Sequence, residues 1–85
     1  MSDELHEQIR NYILQNYLFT NDPSALGLDD SLLERGIVDS TGMLEVIFFV
    51  EEHLGVKIND EEMIPDNLDS VNKIADFVQA KRKAA

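Results

Sequence analysis

Gly36-Ile37-Val38-Asp39-Ser40-Thr41 runs straight into Gly42-Met43-Leu44-Glu45-Val46-Ile47-Phe48-Phe49-Val50-Glu51-Glu52-His53-Leu54-Gly55, and this stretch decides the fold. Asp39 is a residue type that caps a helix start, and Gly55 one that stops a helix. Between them Met43, Ile47, Val50 and Leu54 recur at helical spacing, with Leu44 and Phe48 beside the stripe. Together with Val46 and Phe49, these apolar residues wrap further around the helix than one stripe requires. A helix from Ser40 to His53 or Leu54 is therefore either central to a bundle or offers part of its apolar surface to a partner. Ser40 then stands at an exposed helix start, where unpaired N–H groups and the helix dipole favour an anion, so a phosphate esterified to its hydroxyl would be well placed.

Upstream, Leu5, Ile9, Tyr12, Ile13 and Tyr17 recur at helical spacing among Glu4, Glu7, Gln8, Arg10 and Asn11, which predicts an amphipathic helix over about 2–17. Asp3 and Glu4 fall in its first turn, where negative charge is favoured. Residues 18–38 form a long connection with turn chemistry at Thr20-Asn21-Asp22-Pro23-Ser24 and at Gly27. Leu26, Leu28, Leu32, Leu33 and Ile37 imply that it packs on the core. Ser31-Leu32-Leu33-Glu34 fits a capping box and predicts one short helical turn, stopped by Gly36. Downstream, Gly55-Val56-Lys57-Ile58-Asn59 alternates but is too short and isolated to make a strand. Asn59-Asp60-Glu61-Glu62 opens a short helix that Pro65 limits. A last helix starts near Asp69 or Ser70, buries Val71, Ile74, Ala75, Phe77 and Val78, and ends in Lys81, Arg82 and Lys83, cations suited to a helix C-terminus. The expectation is an all-α fold: a small four-helix bundle with three main helices, one short helix and a long first loop.

Composition narrows the function. The 85 residues make one domain, 1–85, with room for one core and a stability of about 5 kcal/mol. No cysteine is present, so there is no disulfide, thiolate metal site or cysteine nucleophile, and any thiol chemistry must come from an attached group. A formal net charge of −10 excludes nucleic acid and anionic membrane as expected partners and favours basic protein partners, bound in a salt-sensitive way. The acidic, helix-like start, Met1-Ser2-Asp3-Glu4-Leu5-His6, reads as neither a signal nor a transit peptide, and no apolar run is long enough to span a membrane. The expected compartment is the cytoplasm.

Ser40 is the one residue with a chemical role in view. As a nucleophile it would need a base, and His53 lies about 13 positions along the same helix, roughly 20 Å away. His6 would approach it only by accident of folding. Both histidines read as surface or helix-end residues. No histidine or carboxylate spacing suits a metal, and the acids lack an EF-hand pattern. Two non-catalytic alternatives stay open from the residues. Asp39-Ser40-Thr41-Gly42 before an apolar run also resembles the phosphoserine site of anti-sigma-factor antagonists, a family that begins with strands where this chain predicts a helix. The chain also reads as an unmodified acidic interaction bundle.

Leu32-Leu33-Glu34-Arg35-Gly36-Ile37-Val38-Asp39-Ser40, the apolar helix ending Glu51-Glu52-His53-Leu54-Gly55-Val56-Lys57-Ile58, and Asn67-Leu68-Asp69-Ser70-Val71-Asn72-Lys73-Ile74 together resemble the acyl carrier protein family. The resemblance runs from about Leu5 to Val78 in order and spacing. It implies that Ser40 is esterified by the 4′-phosphopantetheine of coenzyme A through a phosphopantetheinyl transferase. It implies further that the arm's thiol holds an acyl or aminoacyl group as a thioester, and that the chain itself is not an enzyme. Asp39 matches the family's acid before the serine, either helping to hold the transferase's magnesium or serving only as N-cap. Thr41, Leu44, Glu45, Phe48, Glu51 and Glu52 match the face that partner enzymes read, and Asp60, Glu61 and Glu62 match the acidic third helix. Val46, Ile47, Val50 and Leu54 match core positions. The implied partners are the transferase, an acyl- or aminoacyl-loading ligase and downstream acyltransferases or synthases, visited by a monomer.

The chain departs from the family where an aliphatic residue often follows the serine: here Thr41 stands there, with Gly42 behind it. Gly42 lowers helix propensity by about 1 kcal/mol relative to alanine. Both residues leave attachment at Ser40 intact and bear on the partner set. They point away from the housekeeping fatty-acid carrier and towards a dedicated carrier of an amino acid or an unusual acid.

Overall fold

The computed structural model describes the backbone of residues 2–84 and the side chains of residues 4–83. The side chain of Asp3, expected to favour the first helical turn, lies outside the described residues. Four α-helices follow one another: α1 (Ser2–Ile13), α2 (Ser40–Leu54), a single turn α3 (Pro65–Leu68) and α4 (Val71–Ala84). No strand occurs among the described residues, so the all-α expectation holds.

The expected apolar positions supply the core. Leu5, Ile9 and Ile13 of α1, Val46, Ile47, Val50 and Leu54 of α2, and Val71, Ile74, Ala75 and Val78 of α4 are buried in one cluster. Leu26, Leu32 and Val38 of the long connection join them, which is why that loop stays ordered around the bundle. Leu68 is nearly fully buried and anchors the short α3.

Helix boundaries follow the capping chemistry. Asp39 is extended and accepts the Gly42 N–H at 2.7 Å, fixing the start of α2, while Gly55 at φ 71° ends it in the left-handed region. Arg82 of α4 donates to the Leu54 carbonyl at 2.9 Å, closing the last turn of α2 from outside. The buried Ser70 hydroxyl accepts the Lys73 N–H at 3.1 Å and so starts α4.

Two local expectations need correction. The first helix is not α-helical to Tyr17: after Ile13 it widens into a π-helical turn, Leu14–Leu18, closed by Phe19 in the left-handed region at φ 54°. Tertiary packing is the reason, because the wide turn carries Tyr17 against the start of α2, where its hydroxyl donates to Glu45 Oε1 at 2.7 Å and to the Gly42 carbonyl at 3.2 Å. Around Ser31 the expected single helical turn forms: the Arg35 N–H bonds the Ser31 carbonyl at 3.1 Å, and Gly36, at φ 69°, stops it. Ser31 Oγ does accept the Glu34 N–H, as a capping box requires, but it also donates to Asp69, which draws the loop to the base of α4. Finally, Asn59 does open a short helix, with a capping box to Glu62, but Pro65 is not what limits it. Asp60–Glu62 is a separate 3₁₀ turn, and Pro65 opens α3, a position where its missing N–H costs nothing.

The alternating segment 55–59 forms no strand, yet its alternation is meaningful. Val56 and Ile58 are buried while Lys57 is exposed, and the Ile58 N–H is met by Glu51 Oε2 at 3.1 Å instead of by a neighbouring strand.

Candidate functional site

Ser40 occupies the first position of the 15-residue α2 and is exposed. Asp39 turns its carboxylate inward to the Gly42 N–H, and its carbonyl accepts the Met43 N–H at 2.8 Å. The amides of Ser40 and Thr41 are thus the first-turn donors that an anion on the serine would meet. No group of three or more histidine or acidic residues suited to a metal occurs among the described residues. His53 closes the far end of α2 and is exposed.

Beside Ser40 opens a groove of about 240 Å³ between α2 and α3. Leu33 of the long connection, Met43, Leu44 and Ile47 of α2, and Met63, Ile64, Pro65 and Leu68 line it with Ser40. Met63 and Ile64 escaped the sequence reading because they sit in no periodic pattern. Their only signal was two apolar residues directly before a proline.

The expected partner-facing residues divide into two groups. Thr41, Leu44, Glu45, Phe48 and Glu52 are exposed along α2, with Leu44 60% and Phe48 64% accessible, so this helix presents large apolar side chains to solvent amid acids. Glu51 is turned towards the Ile58 amide and holds the following segment. Asp60, Glu61 and Glu62 lie on the separate 3₁₀ turn. Asp60 and Glu61 are exposed, whereas Glu62 is ion-paired with Lys81 of α4 at 2.8 Å and accepts the Asn59 N–H at 3.0 Å. The Lys81 ammonium first, and the Asn59 amide second, hold the Glu62 carboxyl below the usual carboxylate range.

Gly42, read from sequence as a weak helix former, has a packing role. It is buried, and a Cβ there would lie 3.2 Å from Val38 Cβ and 3.4 Å from Tyr17 Cε1. Tyr17 therefore packs on bare backbone while its hydroxyl bonds the Gly42 carbonyl. Burial, and then the bond to Glu45, push the Tyr17 phenol well above its ordinary pKa.

Fold and site together define a small helical bundle whose second helix begins with an exposed serine, next to an apolar groove and an acidic face. No family profile matches the chain. Curated relatives do: the D-alanyl carrier proteins of Streptococcus mutans, Streptococcus sanguinis and Streptococcus thermophilus are each 31% identical over 67 residues, which span 79% of this chain and 84% of theirs. The chain belongs to the family of acyl and aminoacyl carrier proteins.

Proposed function

We propose that this protein carries an amino acid or another small carboxylic acid on a 4′-phosphopantetheine arm attached to Ser40, and presents it to partner enzymes in the cytoplasm. The observation that carries this proposal is the placement of Ser40: an exposed hydroxyl at the first position of a long helix, with His53 at the opposite end and Asp39 committed to capping. Ser40 is an acceptor for a group that another enzyme delivers. When attached, the arm supplies the thiol that this cysteine-free chain lacks, on which an acid is held as a thioester. The Ser40 and Thr41 amides and the α2 dipole stabilise the phosphate linkage by about 0.3–1 kcal/mol. Met43, Leu44 and Ile47, facing Met63 and Ile64, offer apolar surface beside the attachment point. The exposed acids of α2 steer fast, weak encounters with basic surfaces, which suits a protein that must leave each enzyme for the next.

D-alanine is the first cargo to test, since that is the residue named in the relatives. Intact-mass analysis after incubation with coenzyme A, magnesium and a broad-specificity phosphopantetheinyl transferase should show one added phosphopantetheine. Ser40→Ala should show none while changing stability by less than about 0.5 kcal/mol. No mass change across several transferases would sink the carrier function. Loading of the modified chain by ligases specific for D-alanine, other amino acids or fatty acids then identifies the cargo. Efficient malonyl loading and chain elongation would refute the dedicated-carrier part.

A further inference from the structure

We infer that Phe19 is an anchor that inserts into an apolar pocket of the enzyme that modifies Ser40, an inference that rests on the carrier function proposed above. Phe19 is 83% exposed, more than Leu44, Phe48 or Ile64, the other large apolar side chains open to solvent among the described residues. It is also the one non-glycine residue among them with a positive φ, 54°. Glycine and asparagine enter the left-handed region easily, whereas a bulky residue there is crowded by its own backbone. The ring buries almost nothing that would offset this cost. An aromatic side chain held both strained and exposed marks a contact made outside the chain.

The backbone beneath the ring is fixed. Tyr17 and Leu18 pack against the core, and the N–H groups of Phe19 and Thr20 both donate to the Leu14 carbonyl, the second at 3.1 Å. Beyond them Thr20 Oγ1 accepts the Asp22 N–H at 3.2 Å, and Asp22 Oδ1 accepts the Ser24 N–H at 3.0 Å. Ordered turns on both sides therefore present the ring, and little backbone freedom is left to lose when a partner covers it.

Position selects the partner. Phe19 lies two residues beyond Tyr17, at most about 7.6 Å away between Cα atoms. Tyr17 is bonded to the Gly42 carbonyl and to Glu45, and Gly42 stands about 3 Å along the helix axis from Ser40. Phe19 is thus mounted on the first turn of α2 from the α1 side, whereas the apolar groove opens on the α3 side. Enzymes that act on the far end of a flexible arm can work at a distance from this turn. An enzyme that transfers a group to the Ser40 hydroxyl must close on the turn itself, and so meets Phe19. A second copy of the chain is a poor occupant, because two molecules of net charge −10 repel each other.

The test measures steady-state transfer of phosphopantetheine from coenzyme A by a broad-specificity transferase, with intact mass as the readout. The substrates are the unmodified full chain, Phe19→Gly and Phe19→Leu. Phe19→Gly should raise KM for the carrier about tenfold, as truncation of a buried aromatic anchor does, with kcat and the KM for coenzyme A unchanged. Phe19→Leu keeps an apolar side chain and should stay within about threefold of the parent. The glycine variant should also melt about 2–4 °C higher, because it relieves the left-handed strain; a ring that served the fold would give a lower Tm. An unchanged KM, a fall in kcat alone, a lower Tm for Phe19→Gly, or self-association of the parent in sedimentation that Phe19→Gly removes would each overturn the anchor. If the parent chain itself gains no phosphopantetheine, the carrier function fails and the anchor with it. Modification with a KM indifferent to residue 19 sinks the anchor alone.

Discussion

Replacing Asp69 by alanine should cost this bundle more than any other single exposed or half-exposed acid. Its carboxylate accepts the Leu33 N–H at 2.9 Å and the Ser31 hydroxyl, and so ties the long first loop to the base of α4. Its backbone carbonyl, which survives the change, accepts the Leu32 N–H at 2.9 Å. Hydrogen bonds to a charged acceptor are worth about 1.5–3 kcal/mol each. Asp69 is only half-buried, so the lower figure applies to both bonds and the expected loss is about 3 kcal/mol. A domain of this size has about 4–13 kcal/mol in total, and Tm should fall by about 12–24 °C. Urea unfolding followed by circular dichroism measures the loss, with Asp76→Ala on the exposed side of α4 as a control expected within about 0.5 kcal/mol of the parent. Combining Ser31→Ala with Asp69→Ala should reveal a coupling of about 1 kcal/mol. A loss below about 1 kcal/mol for Asp69→Ala, or additive effects in the double variant, would refute the idea that this carboxylate holds the loop.

Other expectations follow from the same structure. Gly42→Ala gains about 1 kcal/mol of helix propensity. Its new Cβ, however, meets the buried Val38 at 3.2 Å and the doubly bonded Tyr17 ring, so the net result should be a loss of about 1 kcal/mol; a rise in Tm would contradict it. Tyr17 should resist ionisation in a spectrophotometric titration. Because folding raises its pKa, its stabilising contribution is fully present below the ordinary phenol value and declines as pH rises above it, so a normal tyrosine titration curve for both tyrosines would count against the Glu45 contact. Folding depresses the pKa of Glu62, so the contribution of its pair with Lys81 is present above the ordinary carboxylate range and is lost as pH falls through the depressed value. Lys81→Met should therefore destabilise at neutral pH and have little effect in acid, and a pH-independent effect would show that the lysine acts through its packing alone.

The elements that carry strong local chemistry were legible in the sequence. Asp39 and Gly55 bracket α2 because each performs a capping job that few residues do, and the 3.6-residue stripe between them chose its buried face. Ile47, Val50 and Leu54 followed from that stripe and are buried, whereas Met43 on the same stripe is only half-buried and Val46 was marked as core by the family resemblance. What escaped depends on contacts between distant residues. Tyr17 lies 25 positions from Gly42, and only the packed bundle shows that the glycine exists to receive the ring and that the π-helical turn exists to deliver it. Asp69 likewise reads as a helix start, while its bonds reach 38 and 36 positions back to Ser31 and Leu33. Pro65 was misplaced for a local reason: proline both ends one helix and begins another, and the pattern 59–64 does not say which. At the site, Ser40 was visible as a hydroxyl at a helix start. The groove beside it was not, because Leu33, Met63 and Pro65 come from three separate non-helical or barely helical stretches.

α1 packs directly on α4, so the first and last helices of the bundle are neighbours in space. This circuit has a consequence for the order of events during synthesis. Leu5, Ile9 and Ile13 have no complete apolar surface to lie on until Val71–Ala84 has left the ribosome, and the Ser31–Asp69 bond cannot close before Asp69 has done so. A nascent chain therefore holds Ser40 in a segment without its finished platform, and the bundle assembles only after translation has passed α4. Any protein that recognises the folded start of α2 would thereby discriminate chains that include α4 from chains that lack it.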